Sequence, residues 1–166
     1  MDVQAGLPLH GFFAKAGLAV GTTSTLTTTA QANAYALAGK AFTFTGAANQ
    51  ATPTTDAVTG IAFIAVPAGS GSIFAIGRDS AGAMKAVQGS IEALDLNKTD
   101  GSNKFVKAPT FGAMPPSLAF YGYVVVKVGS AGAAWTFGTS NTAGPPANTI
   151  ITYTDVASLP TRPQVD

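Results

Sequence analysis

The sequence predicts a mainly β protein: a single antiparallel β-sandwich or β-barrel-like domain preceded by an extended N-terminal arm. Three observations carry this. About seven short segments have strand character and are separated by Gly/Pro-rich turns. No long fixed period repeats along the chain, which argues against a solenoid. Residues 1–34 differ in character from the rest, which divides the chain into an arm (1–34) and a β-rich domain with a Pro-rich tail (35–166).

In the arm, Pro8, Gly11, Gly17 and Gly21 punctuate the chain, and Phe12-Phe13 is its only aromatic pair. Thr-rich residues 22–29 favour extended backbone, because a β-branched side chain is stiff at χ1. Such a segment buries little by itself and is expected to be held down by its own domain or by a neighbour. Ala30-Gln31-Ala32 and Ala32-Asn33-Ala34 have the small residues of a processing site. The Thr-rich stretch before them is too polar for a signal core, so the chain is expected to stay unprocessed.

From residue 35 the pattern turns to strands. Ala-rich residues 30–41 leave a strand or a short helix open as the start. Residues 41–45 alternate with period two, placing Phe42 and Phe44 on one face. Residues 46–59 read as a polar loop. Residues 61–66, an apolar run bounded by Gly60 and Pro67, read as a buried strand. Residues 72–77 and 84–87 flank Arg78-Asp-Ser-Ala-Gly82, a hairpin turn in which Gly82 suits the left-handed position. Residues 97–104 read as a loop, with a tight turn at Asp100-Gly101. The strongest strand is 121–128. A turn at 129–132 leads back into 134–137, residues 149–154 form the last strand, and two prolines keep the tail extended.

Charged residues make up only 10% of the chain, against roughly 25% in an ordinary soluble domain. An Ala-, Gly-, Ser- and Thr-rich surface loses little on burial, because few charges must be desolvated. This suits close subunit contacts, and it also suits a neutral secreted monomer. Nine basic and eight acidic residues leave a net charge of +1, with no basic stripe, so nucleic acid is not an expected partner. No apolar run approaches the roughly 20 residues of a membrane-spanning helix, and a membrane is not expected either. The chain has no cysteine, which excludes disulfides and thiolate metal sites.

The catalytic inventory is thin, and no catalytic, cofactor or metal residue is assigned. The single histidine, His10, lies in the arm without a Gly-x-Ser-x-Gly elbow elsewhere. Glu92 and Asp95 are the nearest non-terminal carboxylate pair. They sit beside a loop, not positioned as the two flanking groups of a glycosidase. Asp79 and Asp100 suit turns, where the carboxylate accepts backbone N–H groups. The run 95–101 faintly resembles a calcium loop, but its spacing departs from the required pattern and no Glu closes it. Gly69-Ser-Gly71 lacks the Lys and helix of a phosphate loop. Trp135, Tyr121 and Tyr123 could present faces to sugars, although the alternation of Trp135 with Phe137 favours the core.

Six phrases resemble a known family. They are Lys40-Ala-Phe-Thr-Phe-Thr-Gly46, Val66-Pro-Ala-Gly-Ser-Gly71, Phe74-Ala-Ile-Gly-Arg-Asp79, Gly122-Tyr-Val-Val-Val-Lys127, Trp135-Thr-Phe-Gly-Thr-Ser-Asn141 and Asp155-Val-Ala-Ser-Leu-Pro-Thr-Arg-Pro-Gln164. Together they are similar to small structural proteins of tailed bacteriophages, the head decoration or cement proteins and related virion components. They are strand-and-turn phrases, not active-site signatures. The resemblance implies a non-enzymatic protein made in the host cytoplasm and bound to the exterior of the phage head. Its partners would be the major capsid protein and copies of itself, as a homotrimer. The resemblance assigns no contact residues; the arm and the Pro-rich tail are the candidate contact segments, with Phe12, Phe13 and Leu18 in the arm and Leu159 and Arg162 in the tail. The role of the arm residues rests on composition, and packing on their own domain is the alternative for them. Other functions weighed are a head-fibre, tail or receptor-binding component, and a secreted carbohydrate-binding module or adhesin.

Overall fold

The structure, a computed structural model, describes residues 10–28, 32–96 and 103–165. The turn expected at Asp100-Gly101 lies outside them. Among the described residues eleven strands form three antiparallel sheets, and there is no helix. The mainly β expectation holds, with the sheets curled into a half-barrel.

The largest sheet contains β7 (Ser70–Arg78), β8 (Met84–Asp95), β9 (Lys104–Phe105), β10 (Ala119–Val128) and β11 (Thr149–Asp155), in the order β11-β10-β7-β8-β9. All ten residues of β10 are buried. This explains its near-continuous apolar run, since a strand covered on both faces need not alternate. A bulge sits at Tyr121, between the pairs Phe120↔Gly77 and Gly122↔Ile76. The extra residue switches parity, so that Ala119 and Tyr121, then Val124, Val126 and Val128, all meet the same large core cluster. Tyr123 and Val125 face the other way. There Ile73, Phe105 and Phe111 join Val156, Leu159 and Val165 of the tail. The Pro-rich tail is therefore a lid on the second face of the main sheet, fastened where Gln164 N donates to Tyr123 Oη at 2.9 Å.

The first face is covered by two small sheets. One contains β1 (Gly11–Phe12), β4 (Ala32–Leu37) and β5 (Lys40–Thr45) in the order β1-β4-β5. The other contains β2 (Ala19–Val20), β3 (Thr25–Thr27) and β6 (Gln50–Ala51), with β3 in the middle. Residues 30–41, left open between strand and helix, yield β4 from residue 32 onward. The β4–β5 hairpin turns on Ala38 (φ 50°) and Gly39 (φ 80°), both left-handed as a two-residue I′ turn requires. Phe42 and Phe44 share the inward face of β5, as the alternation predicts.

Several other expectations can be compared directly. The hairpin at 78–82 forms: Gly82 has φ 77°, and Asp79 Oδ1 accepts from Ala81 N and Ala83 N at 2.9 Å each. Its second strand runs far past residue 87, because a bulge at Gly89-Ser90 lets β8 bend and continue pairing to Ala93. Residues 61–66 are not a buried strand. Among the described residues their β pairing is limited to the single bridges Thr55↔Ala62 and Val66↔Trp135. Residues 134–137 are likewise reduced to that bridge, since the chain turns at once, with Ser140 N donating to Thr136 O at 2.9 Å. Trp135 and Phe137 are nevertheless fully buried against Phe74.

A candidate interaction surface

Residues 56–64 form a loop whose shape follows from one carboxylate. Asp56 is buried, and its Oδ1 accepts from Val58 N (2.8 Å) and Thr59 N (2.9 Å). Gly60 N donates to Asp56 O at 2.8 Å, and Gly60 takes φ 72°, which favours a residue without Cβ. The other oxygen, Oδ2, accepts from Gln88 N on β8 at 2.7 Å. Next to it, Ala57 N donates to Ala86 O at 2.9 Å.

The far end of the loop is held by a side chain imitating a strand. Gln88 Nε2 donates to Ile64 O, and Gln88 Oε1 accepts from Ile64 N, both at 2.9 Å. This satisfies the backbone that a sixth strand would otherwise pair, so residues 61–66 need no ladder. It also sets the side-chain directions. Phe63 and Val66 point into the core, whereas Ile61 (62% exposed) and Ile64 (65%) point to solvent beside Val58 (50%).

Across β8, Ser90 N donates to Thr110 O at 2.9 Å, and Thr110 N donates to Ser90 Oγ at 3.0 Å. The 56–64 loop and residues 112–113 thus stand as two walls over the middle of β8. The groove between them has a volume of about 410 Å³, with Val87 and Ile91 in its lining. Among the described residues its one charged lining residue is Asp56, whose oxygens are already occupied by the loop and β8. The result is a pinned apolar surface on which no described residue brings a free charge into the groove. Such an arrangement suits contact with another apolar protein surface, since little order is lost on docking.

The residues expected to make contacts are dispersed. Phe12 is buried in the domain's own core, stacked on Tyr35 at 5.1 Å and tilted against Tyr121 at 5.0 Å. Leu18 is buried over Gly122. Both occupy the alternative given for them, packing on their own domain. Phe13 is 54% exposed and Arg162 is exposed. Leu159 is half-buried and helps line a second hollow with His10, Met114 and Phe120. None of the five lines the apolar groove. Ile61 and Ile64 went unnoticed in the sequence because an apolar run reads as core, and Val58 because it lies in a segment that reads as a polar loop. The pattern Asp56-Ala-Val-Thr-Gly60, a carboxylate capping its own turn, was the available signal.

No family model, curated protein or solved structure matches this chain.

The groups considered for chemistry have other contacts. His10 Nε2 lies 2.6 Å from Leu118 O. Glu92 pairs with Lys107 at 3.5 Å, Asp79 with Lys85 at 3.8 Å, and Asp155 Oδ2 accepts from Gly17 N at 2.9 Å. Among the described residues no three His, Asp or Glu side chains gather where they could hold a metal ion. Tyr121, Tyr123 and Trp135 are all buried, so none offers a ring face to a sugar. Burial pushes the Tyr121 hydroxyl far above the ordinary tyrosine range, with the positive charge of Arg78 opposing the shift.

Proposed function

We propose that this chain is a structural virion protein that binds the exterior of a tailed-phage head and cross-links coat subunits, without catalysing a reaction. The observation that carries the reading is the surface at Val58, Ile61 and Ile64: three exposed aliphatic side chains on a loop pinned by Asp56 and Gln88. A protein that works by lying against a lattice gains from this arrangement, because each docked copy raises the number of contacts that must break together. Binding that favours the assembled shell over its loosened form stabilises the former by mass action. The low charge content and the resemblance of the strand-and-turn phrases support the phage head as that lattice, with the major capsid protein as partner and a homotrimer as the bound unit. Exposed Phe13 and Arg162 are secondary contact candidates.

The test uses heads purified from a phage lacking the gene. Adding back the protein should restore resistance to heat, and the double variant Ile61→Asp/Ile64→Asp should remain folded but fail to co-sediment with heads. Exposed substitutions of this kind change stability by only about 0.5 kcal/mol, so lost binding would not reflect unfolding. Heads equally stable with and without the protein would refute the proposal. Intact heads with failed adsorption to host cells would move the protein to receptor binding.

A further inference from the structure

We infer that β5 is a docking edge for the β5 strand of a second copy, paired antiparallel across a twofold axis at Thr43. The argument starts from backbone direction. Phe13 N donates to Ala34 O, so the backbone groups of Ala34 and Ala36 point toward β1. In an antiparallel ladder alternate residues point to opposite sides. Those of Asn33, Tyr35 and Leu37 therefore meet Phe44, Phe42 and Lys40, their partners on β5. The N–H and C=O groups of Ala41, Thr43 and Thr45 are left pointing away from the sheet. All three residues are exposed, and beyond the β4 ladder they make no hydrogen bond among the described residues.

Several other edges are engaged among the described residues. Phe12 N, on the outer side of β1, donates to Ala157 O at 3.3 Å. The free side of β8 is covered by Ala57, by Asp56, by Thr110 and by β9. β11 is tied at its two ends, where Thr149 N bonds Pro146 O and Asp155 Oδ2 accepts from Gly17 N. β5 has none of the usual protections. It contains no proline, its register with β4 has no bulge, and Lys40 at its start is its only charge.

A second copy fits this edge because the edge is self-complementary. With Thr43 opposite its own equivalent, Ala41 falls opposite Thr45 of the second copy and Thr45 opposite its Ala41. Every outward N–H and C=O of the three residues then finds a partner. Phe42 and Phe44 of one copy fall opposite Phe44 and Phe42 of the other, at the closer, non-hydrogen-bonded positions of the ladder. Both rings are only partly buried within their own domain. The β1-β4-β5 sheets of the two copies would merge into one sheet of six strands. The inference stands whether or not the chain belongs to a virion; beside the proposed homotrimer, which a twofold edge cannot build, this pairing would join two trimers.

The chain has no cysteine, so a single introduced thiol reports on one position. Thr43→Cys should oxidise to covalent dimers several-fold faster than Thr152→Cys, an exposed threonine on β11, at equal concentration. Facing residues of such a pair lie about 5.5 Å apart at Cα, within disulfide range. Thr43→Lys places two cations face to face at the twofold. It should weaken association of the full chain about tenfold in sedimentation equilibrium while the far-ultraviolet β spectrum stays unchanged. Equal cross-linking of the two cysteine variants, or faster cross-linking at residue 152, would overturn the inference. So would wild-type protein that sediments at every concentration as one chain of 16.6 kDa or as a trimer of it.

Discussion

Asp56→Ala should uncouple the apolar loop from β8, and its cost can be worked from three bonds. Val58 and Thr59 are exposed, so water replaces the carboxylate at their N–H groups, and each lost bond is worth about 0.5–1 kcal/mol. Gln88 N lies beneath the loop, where an unsatisfied donor costs about 1–3 kcal/mol. The expected loss is about 3 kcal/mol, which for a chain of this size lowers Tm by about 6–12 °C. Asp56→Asn separates the contributions. Its oxygen can still cap Val58 and Thr59, but its amide then faces the Gln88 N–H donor to donor. It should fall between wild type and Asp56→Ala. Urea unfolding gives the free energies, and hydrogen exchange at the Gln88 amide gives the location. An alanine variant melting within about 2 °C of wild type, with Gln88 still protected, would show that the loop does not depend on Asp56.

Ala38→Asn should stabilise the β4–β5 hairpin by about 0.5–1 kcal/mol, because Ala38 holds φ 50° and Asn-Gly is the preferred I′ pair; the urea midpoint checks this. Gly122→Ala should destabilise by about 1–3 kcal/mol, since its Cβ would stand 2.4 Å from Leu18 Cδ2 and 2.8 Å from Thr154 O. Hydrogen exchange should show protection lost first at Gly17 N, which is bonded to neighbouring Asp155. Stability should also fall in alkali. Tyr35, Tyr121 and Tyr153 are all raised above 10.0 by burial. The folded protein keeps these protons after the unfolded chain has lost them, so their stabilisation is complete below pH 10 and declines as pH rises further. For fully buried Tyr121 the decline is about 1.4 kcal/mol per pH unit. Urea midpoints between pH 9 and 11.5 test it, and a flat profile would contradict the burial of these hydroxyls.

How much was legible follows from how far each element's cause lies along the chain. β5, β7, β10 and β11 carry period-two or continuous apolar patterns within themselves and were readable. So was the turn at Gly82, whose capping carboxylate, Asp79, is three residues away. β1, β2, β6 and β9 have two residues each, too few to carry any period, and exist only because a distant strand pairs with them. The surface at residues 58–64 was hidden for a related reason. Whether Ile61 and Ile64 point inward depends on Gln88, 24 residues beyond Ile64, and hydrophobicity alone assigns both to the core. Phe12 illustrates the converse. Its apolar character was evident, but only the nearby rings of Tyr35 and Tyr121 show that it is used within the domain.

Arg78 shows what joins the three sheets, and why scarcity of charge does not mean absence of electrostatics. It lies on β7 of the main sheet, is buried, and donates to Gln50 Oε1 on β6. Its guanidinium carbon sits 3.8 Å from the ring centroid of Phe44 on β5. A third contact, to Gly82 O at 2.6 Å, fixes the neighbouring hairpin. One side chain therefore touches an element of every sheet. Among the described residues no carboxylate forms an ion pair with it. Its charge is accommodated by an amide oxygen, a carbonyl and an aromatic face, groups that do not titrate in the ordinary pH range. A buried Asp in that place would tie assembly of the sheets to the ionisation of a carboxylate. Neutral acceptors leave the junction insensitive to acid, while the planar guanidinium still imposes direction on three partners, which an ammonium on a flexible stem would not.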